Sequence, residues 1–408
     1  MIFGILQKYV SSLFLFSYLV SIYFYDEARA WLSISMFGFI GCILLFNKPH
    51  DILNRFRKAT SFWVFGSFFF ILSCYYFNSS DYDFYLRRLQ IKIPLFALSL
   101  AFATYSVYFN RLFYKLYLML FILVTTLACS ITLIHFVLNY ETIVRSYLEA
   151  KVIPTMINHV RFSILTAYAC YLCYFIYNKS IIIKYRIEKF IVLFLGLFLF
   201  IFLHIYSVRS GLVAIYGAIA TEILRYALRT RNYVKIGLLC CLLILGVFCA
   251  GTYIPTMNNK FVNTKADIKT YIIGGYPNYS SLTTRLISFE AGWHIFINNP
   301  VFGCGLGDIK FETDAYFNAN YPMIETPILP HNQFLFYLAS TGIVGLFFFC
   351  FTFYFPLFYR KNWKRNHLLL IGYVILTLSF MTEPMLETQL GMAVSLLLIL
   401  VPLSKGIT

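Results

Sequence analysis

The stretch Pro330-His331-Asn332-Gln333-Phe334-Leu335, which continues through Gly342 and Gly345 into an apolar run, closes the one long polar segment of the chain. Proline stops a helix arriving from upstream, and an asparagine directly before a hydrophobic run offers an acceptor to orphan N–H groups. The pattern predicts a helix beginning here and capped by Asn332. The positive end of its dipole then faces the polar segment, which suits an anion and disfavours imidazolium. His331 is therefore expected to be neutral and able to accept a proton. A histidine resting at a membrane interface has the same local pattern, so the rest of the chain must decide between the two.

Working outward, the 408 residues are 60% hydrophobic and 20% aromatic, with only 12% charged. Soluble proteins average about 25% charged residues. Many apolar runs have roughly the 17–25 residues needed to cross the hydrocarbon core. The expectation is an all-α polytopic membrane protein with about 12 transmembrane helices and one long outer loop carrying short helices. Hydropathy puts the spans at roughly 3–24, 31–46, 62–78, 93–109, 116–138, 161–177, 190–207, 211–227, 236–253, 333–358, 368–382 and 389–403. Two regions follow: 1–207 as N-terminal spans, and 208–408 as the part that contains the long loop 253–330. The first apolar run lacks a small-residue cleavage site and reads as a retained span, not a signal peptide.

Orientation is read from the basic residues. With the N-terminus inside, the inner segments hold Lys8, the group Lys48 to Lys58, Arg111 and Lys115, and the group Lys179 to Lys189. They also hold the groups Arg225 to Lys235 and Arg360 to Arg365, and Lys405. These are 20 of the 33 basic residues, against only Asp51, Glu188 and Glu222 among the acids. Both termini are thus expected in the cytoplasm. The net charge of +16 reflects topology and anionic lipid at the inner face, and it gives no reason to expect nucleic acid as a partner.

The outer loop, Tyr253–Pro330, is long enough to expect a function for it. Its first part, with Asn258-Asn259 and Gly274-Gly275-Tyr276-Pro277-Asn278, reads as irregular; Tyr271, Tyr276 and Tyr279 are candidates to face sugar rings. Its middle, Leu282–Asn298, reads as a helix, with Leu286, Phe289, Trp293 and Phe296 on one face and Arg285, Ser288 and Gly292 on another. Three features converge on the outer side: Arg209 between two apolar runs, Arg285, and His331. Two guanidiniums without carboxylate partners, beside a helix-terminal histidine, suit an anionic leaving group. Guanidinium forks match phosphate oxygens and stay charged, and a neutral histidine can take a proton from an attacking hydroxyl.

Other motifs carry less. Gly303-Cys304-Gly305-Leu306-Gly307 follows an Asn-Asn-Pro turn, not a strand, and reads as a tight turn, not a phosphate loop. Asp308, Glu312 and Asp314 read as solvated loop acids, with a loose cation site as the alternative. Cys170-x-x-Cys173 lies within a span, and no second Cys/His pair completes a metal site. His135, His204 and His294 read as packed or interfacial, and Glu222 as the partner of Arg225.

Taken in order, Arg209-Ser-Gly opening a span, Arg285…Gly292-Trp293…Asn299-Pro300-x-x-Gly-x-Gly, and His331-Asn332-x-x-Leu335 with Gly342-x-x-Gly345-Leu346 resemble the O-antigen ligase/polymerase family. Thr382–Gly391 is similar to a late segment of some members. The resemblance is strongest over about 205–395. It implies a C-type glycosyltransferase-like fold in the bacterial inner membrane, and an undecaprenyl-diphosphate-linked glycan donor used on the periplasmic face without metal or other cofactor. The acceptor it implies is lipid A–core, for a ligase, or another glycan, for an O-antigen, capsule or exopolysaccharide polymerase. By motif, His331 is the catalytic base and Arg209 and Arg285 hold diphosphate. His159, Arg161, Arg87, Arg88 and Asn332 are further pocket candidates. A lipid-linked oligosaccharide flippase is the alternative from another class. It would be expected to show internal repeats and charges within its spans, and neither is evident here.

Overall fold

A computed structural model describes residues 2–148, 153–179, 185–230, 233–253, 255–273 and 281–405. Every regular element among them is helical. In order they are α1 (Ile2–Tyr23), α2 (Arg29–Phe46), α3 (Pro49–Lys58), α4 (Thr60–Cys74), α5 (Tyr82–Tyr105), α6 (Arg111–Leu138), α7 (Tyr140–Leu148), α8 (His159–Lys179) and α9 (Arg186–Tyr206). There follow α10 (Arg209–Thr230), α11 (Tyr233–Tyr253), α12 (Pro255–Ile272), α13 (Ser281–Asn298), α14 (Ile309–Asn320), α15 (Gln333–Phe358), α16 (Asn362–Arg365), α17 (His367–Phe380) and α18 (Gln389–Lys405). A helix stands at each of the twelve expected spans. Seven of the described helical stretches are long and apolar enough to cross a membrane, and α17 and α18 are shorter apolar helices. The chain is an all-α polytopic membrane protein.

The start of the long loop differs from expectation. Asn258 and Asn259 lie within α12, not in irregular chain. Pro255 at its first position starts the helix, and neither glycine nor proline follows before Ile272 to interrupt it. The Gly274–Asn278 stretch and Tyr279 lie outside the described residues.

The chain divides into two compact units. The first comprises residues 1–117, 284–373 and 380–408, the second 118–283 and 374–379. In the first, α4 packs on α5 and on α15, α1 packs on α2, and α18 packs on α5. Lipid tails are as apolar as the side chains, so these contacts rest on close packing and interhelical hydrogen bonds. Phe68 meets the Tyr337 ring edge-on at 5.3 Å, and Phe39 meets Tyr105 at 5.3 Å. The Tyr18 hydroxyl donates to the carbonyl of Ala393 at 2.8 Å. In the second unit α8 packs on α9 and α10. Gly211 sets the α8–α10 approach, since a Cβ there would come within 2.5 Å of Ser163.

One irregularity organises the first unit. Helix α15 breaks at Gly342, whose φ of 65° and ψ of −170° fall in a region used essentially by glycine alone. A broken helix at membrane depth must have its freed backbone groups satisfied by protein. The turn after Pro300 does this. Ile343 N–H donates to Pro300 O (2.9 Å) and Val344 N–H to Val301 O (3.3 Å), while Cys304 and Gly305 N–H donate to Ala339 O and Ser340 O, each at 3.0 Å. The Tyr75 hydroxyl donates to the carbonyl of Thr341 at 2.7 Å. The glycine-rich turn is therefore structural. A Cβ at Gly303 would lie 2.4 Å from Ser340 backbone, at Gly305 2.1 Å from Asn78 O, and at Gly307 2.4 Å from Asp81 O.

Candidate active site

Asn332 caps α15 as the sequence suggests, its Oδ1 accepting from Phe334 N–H (2.9 Å) and Leu335 N–H (3.1 Å). Its amide nitrogen donates to Met381 O at 3.2 Å, tying the cap to the end of α17. Helix α13 lies against this start through Gly292, where a Cβ would stand 2.9 Å from Leu335 and 3.1 Å from Pro330. The buried face of α13 is Ile287, Ser288, Ala291, Gly292 and Ile295. The face expected to be apolar is the more open one, with Trp293 54% exposed.

This packing brings Arg285 and His331 together. The His331 N–H donates to Ser288 Oγ at 3.1 Å, and that hydroxyl donates to Arg285 O at 2.7 Å. Both side chains also meet one carboxylate. Arg285 Nη2 lies 2.9 Å, and His331 Nε2 3.4 Å, from the same oxygen, Oε1 of Glu383. The expectation that Arg285 has no carboxylate partner is thus overturned. The acid comes from the α17–α18 connection, 98 residues away, where no local spacing could reveal it. The carboxylate is 8% exposed, against 24% for Arg285 and 23% for His331, so the two basic groups form the open side of the cluster.

A second, deeper cluster anchors the same connection. Gln333 Nε2 donates to Glu387 Oε1 (3.1 Å) and Leu386 N–H to Gln333 Oε1 (2.7 Å). Lys92 Nζ stands 2.5 Å from Glu387 Oε1 and also donates to Leu386 O. Arg88 donates to Glu387 O at 3.1 Å and stacks over Phe84. Arg88 is therefore a brace, while Arg87 is exposed and bonds a carbonyl of its own helix, Asp83 O.

Arg209, His159 and Arg161 belong to the second unit. Arg209 is the first residue of α10, directly after a sharp corner at Ser207 and Val208, where Ser207 has φ 53°. Its Nη2 donates to Thr264 Oγ1 on α12 at 2.7 Å. His159 opens α8, and buried Arg161 donates to Asn158 Oδ1 at 2.9 Å. Ser163 and Ser210 hydroxyls meet at 3.2 Å, so these residues share one end of the α8–α10 pair.

The loop acids serve the fold. Asp308 accepts from the N–H groups of Ser80 (2.8 Å) and Asp81 (2.9 Å), and Asp314 pairs with Lys310 at 2.7 Å. Among the described residues no three His, Cys, Asp or Glu side chains come together in a way that could hold a metal ion. Burial, then the charges of Glu312 and Asp308, push the Cys304 thiol up, which suits packing and not nucleophilic chemistry. Tyr171 donates to Glu222 at 2.7 Å, and His204 meets Tyr216 OH at 2.6 Å.

Residues 191–350 match the family model described as O-antigen ligase. Over that region the chain is similar to the O-antigen ligase family. The matched span contains Arg209, Arg285, His331, the glycine turn and the break at Gly342; Glu383 and the α5 basic residues lie beyond it. No curated protein matches the chain. The match supports a glycan transferase of the ligase or polymerase type, with lipid-linked glycan substrates.

Sequence reasoning missed Glu383, Glu387 and Lys92 as site-forming groups. A signal existed. Thr382–Gly391 carries two acids between apolar helices with no basic residue among them, and buried carboxylates require partners from elsewhere.

Proposed function

We propose that this chain is an O-antigen ligase of the bacterial inner membrane. It transfers a polysaccharide from undecaprenyl diphosphate to a lipid A–core acceptor on the periplasmic face, with both termini in the cytoplasm. The acceptor hydroxyl oxygen attacks the anomeric carbon. The bond from that carbon to the diphosphate oxygen breaks with inversion, the electron pair leaves on undecaprenyl diphosphate, and the hydroxyl proton passes to His331. Arg285 carries the charge that develops on the leaving group, the electrostatic task otherwise given to a metal ion. Arg209 has the same role by motif. What supports this reading is the meeting of a guanidinium and an imidazole on one open cluster at the capped start of α15, inside the matched region.

Transfer of purified lipid-linked glycan to acceptor in detergent tests it. His331→Ala and His331→Gln are each expected to lower turnover by roughly 10²–10⁴-fold, the range for a lost general base, with donor binding little changed. Full activity in the Gln variant would reduce His331 to positioning. Deleting the gene separates the readings by product: a ligase loss leaves bare core with accumulated lipid-linked polymer, and a polymerase loss leaves core plus one repeat. A flippase loss would leave donor on the inner leaflet.

A further inference from the structure

The Glu383 carboxylate is shared. Its Oε1 stands 2.9 Å from Arg285 Nη2 and 3.4 Å from His331 Nε2, so the guanidinium and the imidazole compete for the same lone pairs. The other ring nitrogen of His331, Nδ1, stands 3.4 Å from Leu329 O. Both imidazole nitrogens therefore face acceptors. A neutral ring can donate to only one of them, whereas an imidazolium donates to both. The cradle is complementary to the form of His331 that exists after it has taken a proton, which is where a catalytic site should place its complementarity. Of the two, however, the nearer partner of that oxygen is Arg285.

The group that must displace this arrangement is the donor's diphosphate. A guanidinium fork binds phosphate oxygens bidentately, and a diphosphate carries more charge than a carboxylate. The carboxylate is not free to follow Arg285. It sits on a short connection held by Met385 N–H to Glu383 O (2.9 Å), by Leu386 N–H to Gln333, and by the Lys92–Glu387 pair. His331 is equally fixed, through its own N–H to Ser288.

Building on the proposed transfer reaction, we propose that Glu383 is a positioning residue that changes partners within the catalytic cycle. It neutralises Arg285 while the site is empty. Donor diphosphate draws Arg285 away, and Oε1 then accepts the Nε2–H of His331, which fixes the tautomer whose Nδ1 takes the proton of the acceptor hydroxyl and stabilises the imidazolium that forms. Donor binding thus prepares the base, so the acceptor is activated only when there is a glycan to transfer.

This makes a prediction that a merely structural glutamate would not. The full chain in detergent is titrated with undecaprenyl diphosphate, and turnover is measured separately with lipid-linked glycan. Glu383→Gln removes the anion competing for Arg285, so undecaprenyl diphosphate should bind several-fold tighter, about 3–10-fold, while kcat falls by about 10²-fold or more. Glu383→Asp withdraws the charge by one methylene and should move both constants in the same directions by less. It also provides the reading if the Gln variant does not fold. In an Arg285→Gln background the Glu383→Gln change should leave diphosphate affinity unaltered, because the two effects pass through one contact. Weaker diphosphate binding in the Glu383 variants, or unchanged kcat, overturns the partner exchange. A wild-type chain that neither binds undecaprenyl diphosphate nor transfers glycan would instead overturn the transferase reading itself.

Discussion

Lys92 and Glu387 form a pair whose removal can be reasoned through quantitatively. Their side chains are 1% and 3% exposed, and their charged atoms are 2.5 Å apart. Taking two charges from water is costly, and the attraction between them offsets that cost only while both remain. Breaking such a pair by deleting one partner typically costs about 3–5 kcal/mol. The surroundings decide where each variant falls. Lys92→Met leaves the Glu387 carboxylate with Gln333 Nε2 at 3.1 Å and Arg88 Nη1 at 3.8 Å, so the lower end, about 3 kcal/mol, is expected. Glu387→Leu leaves the ammonium with one backbone carbonyl, the Tyr337 ring at 5.9 Å and the like charge of Arg88 nearby, so the upper end, about 5 kcal/mol, is expected.

The double variant Lys92→Met/Glu387→Leu strands no charge at this position. It leaves Gln333 Nε2 without its acceptor, which costs about 1–3 kcal/mol. Arg88, whose side chain is 16% exposed, can turn toward water. The double variant should therefore be more stable than Glu387→Leu alone, with a coupling energy of about 2 kcal/mol or more. Reversible unfolding of the purified protein in mixed micelles, run as a double-mutant cycle, measures this. Single variants within about 1 kcal/mol of wild type, or additive effects, would show that the pair is not desolvated as argued.

The remaining predictions concern the break, the arginines and the topology. Gly342→Ala forces a Cβ to within 2.2 Å of Val301 O at a φ of +65°, so it should destabilise the protein by about 3 kcal/mol or more, read in the same unfolding assay. Arg285→Lys and Arg209→Lys should each lose most transfer activity while still inserting, because a point charge does not replace a bidentate fork. Near-normal transfer by both would favour simple anchoring. Cysteines placed singly at Asn318 and Trp363 in a cysteine-free background test orientation: an impermeant maleimide should label the first and not the second in intact spheroplasts, and the reverse would invert the topology.

How much of this could be read from the chain depends on the range of the interaction involved. Spans were legible because hydrocarbon thickness imposes a length and composition on each segment independently, and Asn332 was legible because a cap acts within three residues. The helical start of the long loop was not. Hydropathy says nothing about a polar helix, and the proline at α12's first position was the one local signal. Which face of α13 turns outward was not legible either, for a related reason. Leu286, Phe289 and Trp293 have helical spacing, but periodicity identifies an apolar stripe without saying whether protein or lipid covers it. The small residues Ser288, Ala291 and Gly292 were the better guide to the protein-facing side, because in a membrane close approach drives association more than apolarity does.

The charges of the site show the same limit in its strongest form. Arg285 and His331 could be chosen from residue chemistry, yet the group that joins them enters from a turn between the last two helices. Its position follows from the packing of α5, α15 and α18, and that packing is built around Lys92, Gln333 and Glu387. Lys92 borders an apolar run in the sequence, and nothing in its neighbourhood singles it out. Its burial makes sense only once Glu387 is placed beside it, as Glu387's does only beside Lys92. Each of these residues is unfavourable alone, and the two satisfy one another across 295 positions. A pattern that scores residues by neighbourhood in the chain must therefore fail where function is built. The more strongly a buried charge depends on a distant partner, the less its own surroundings in sequence can say about it.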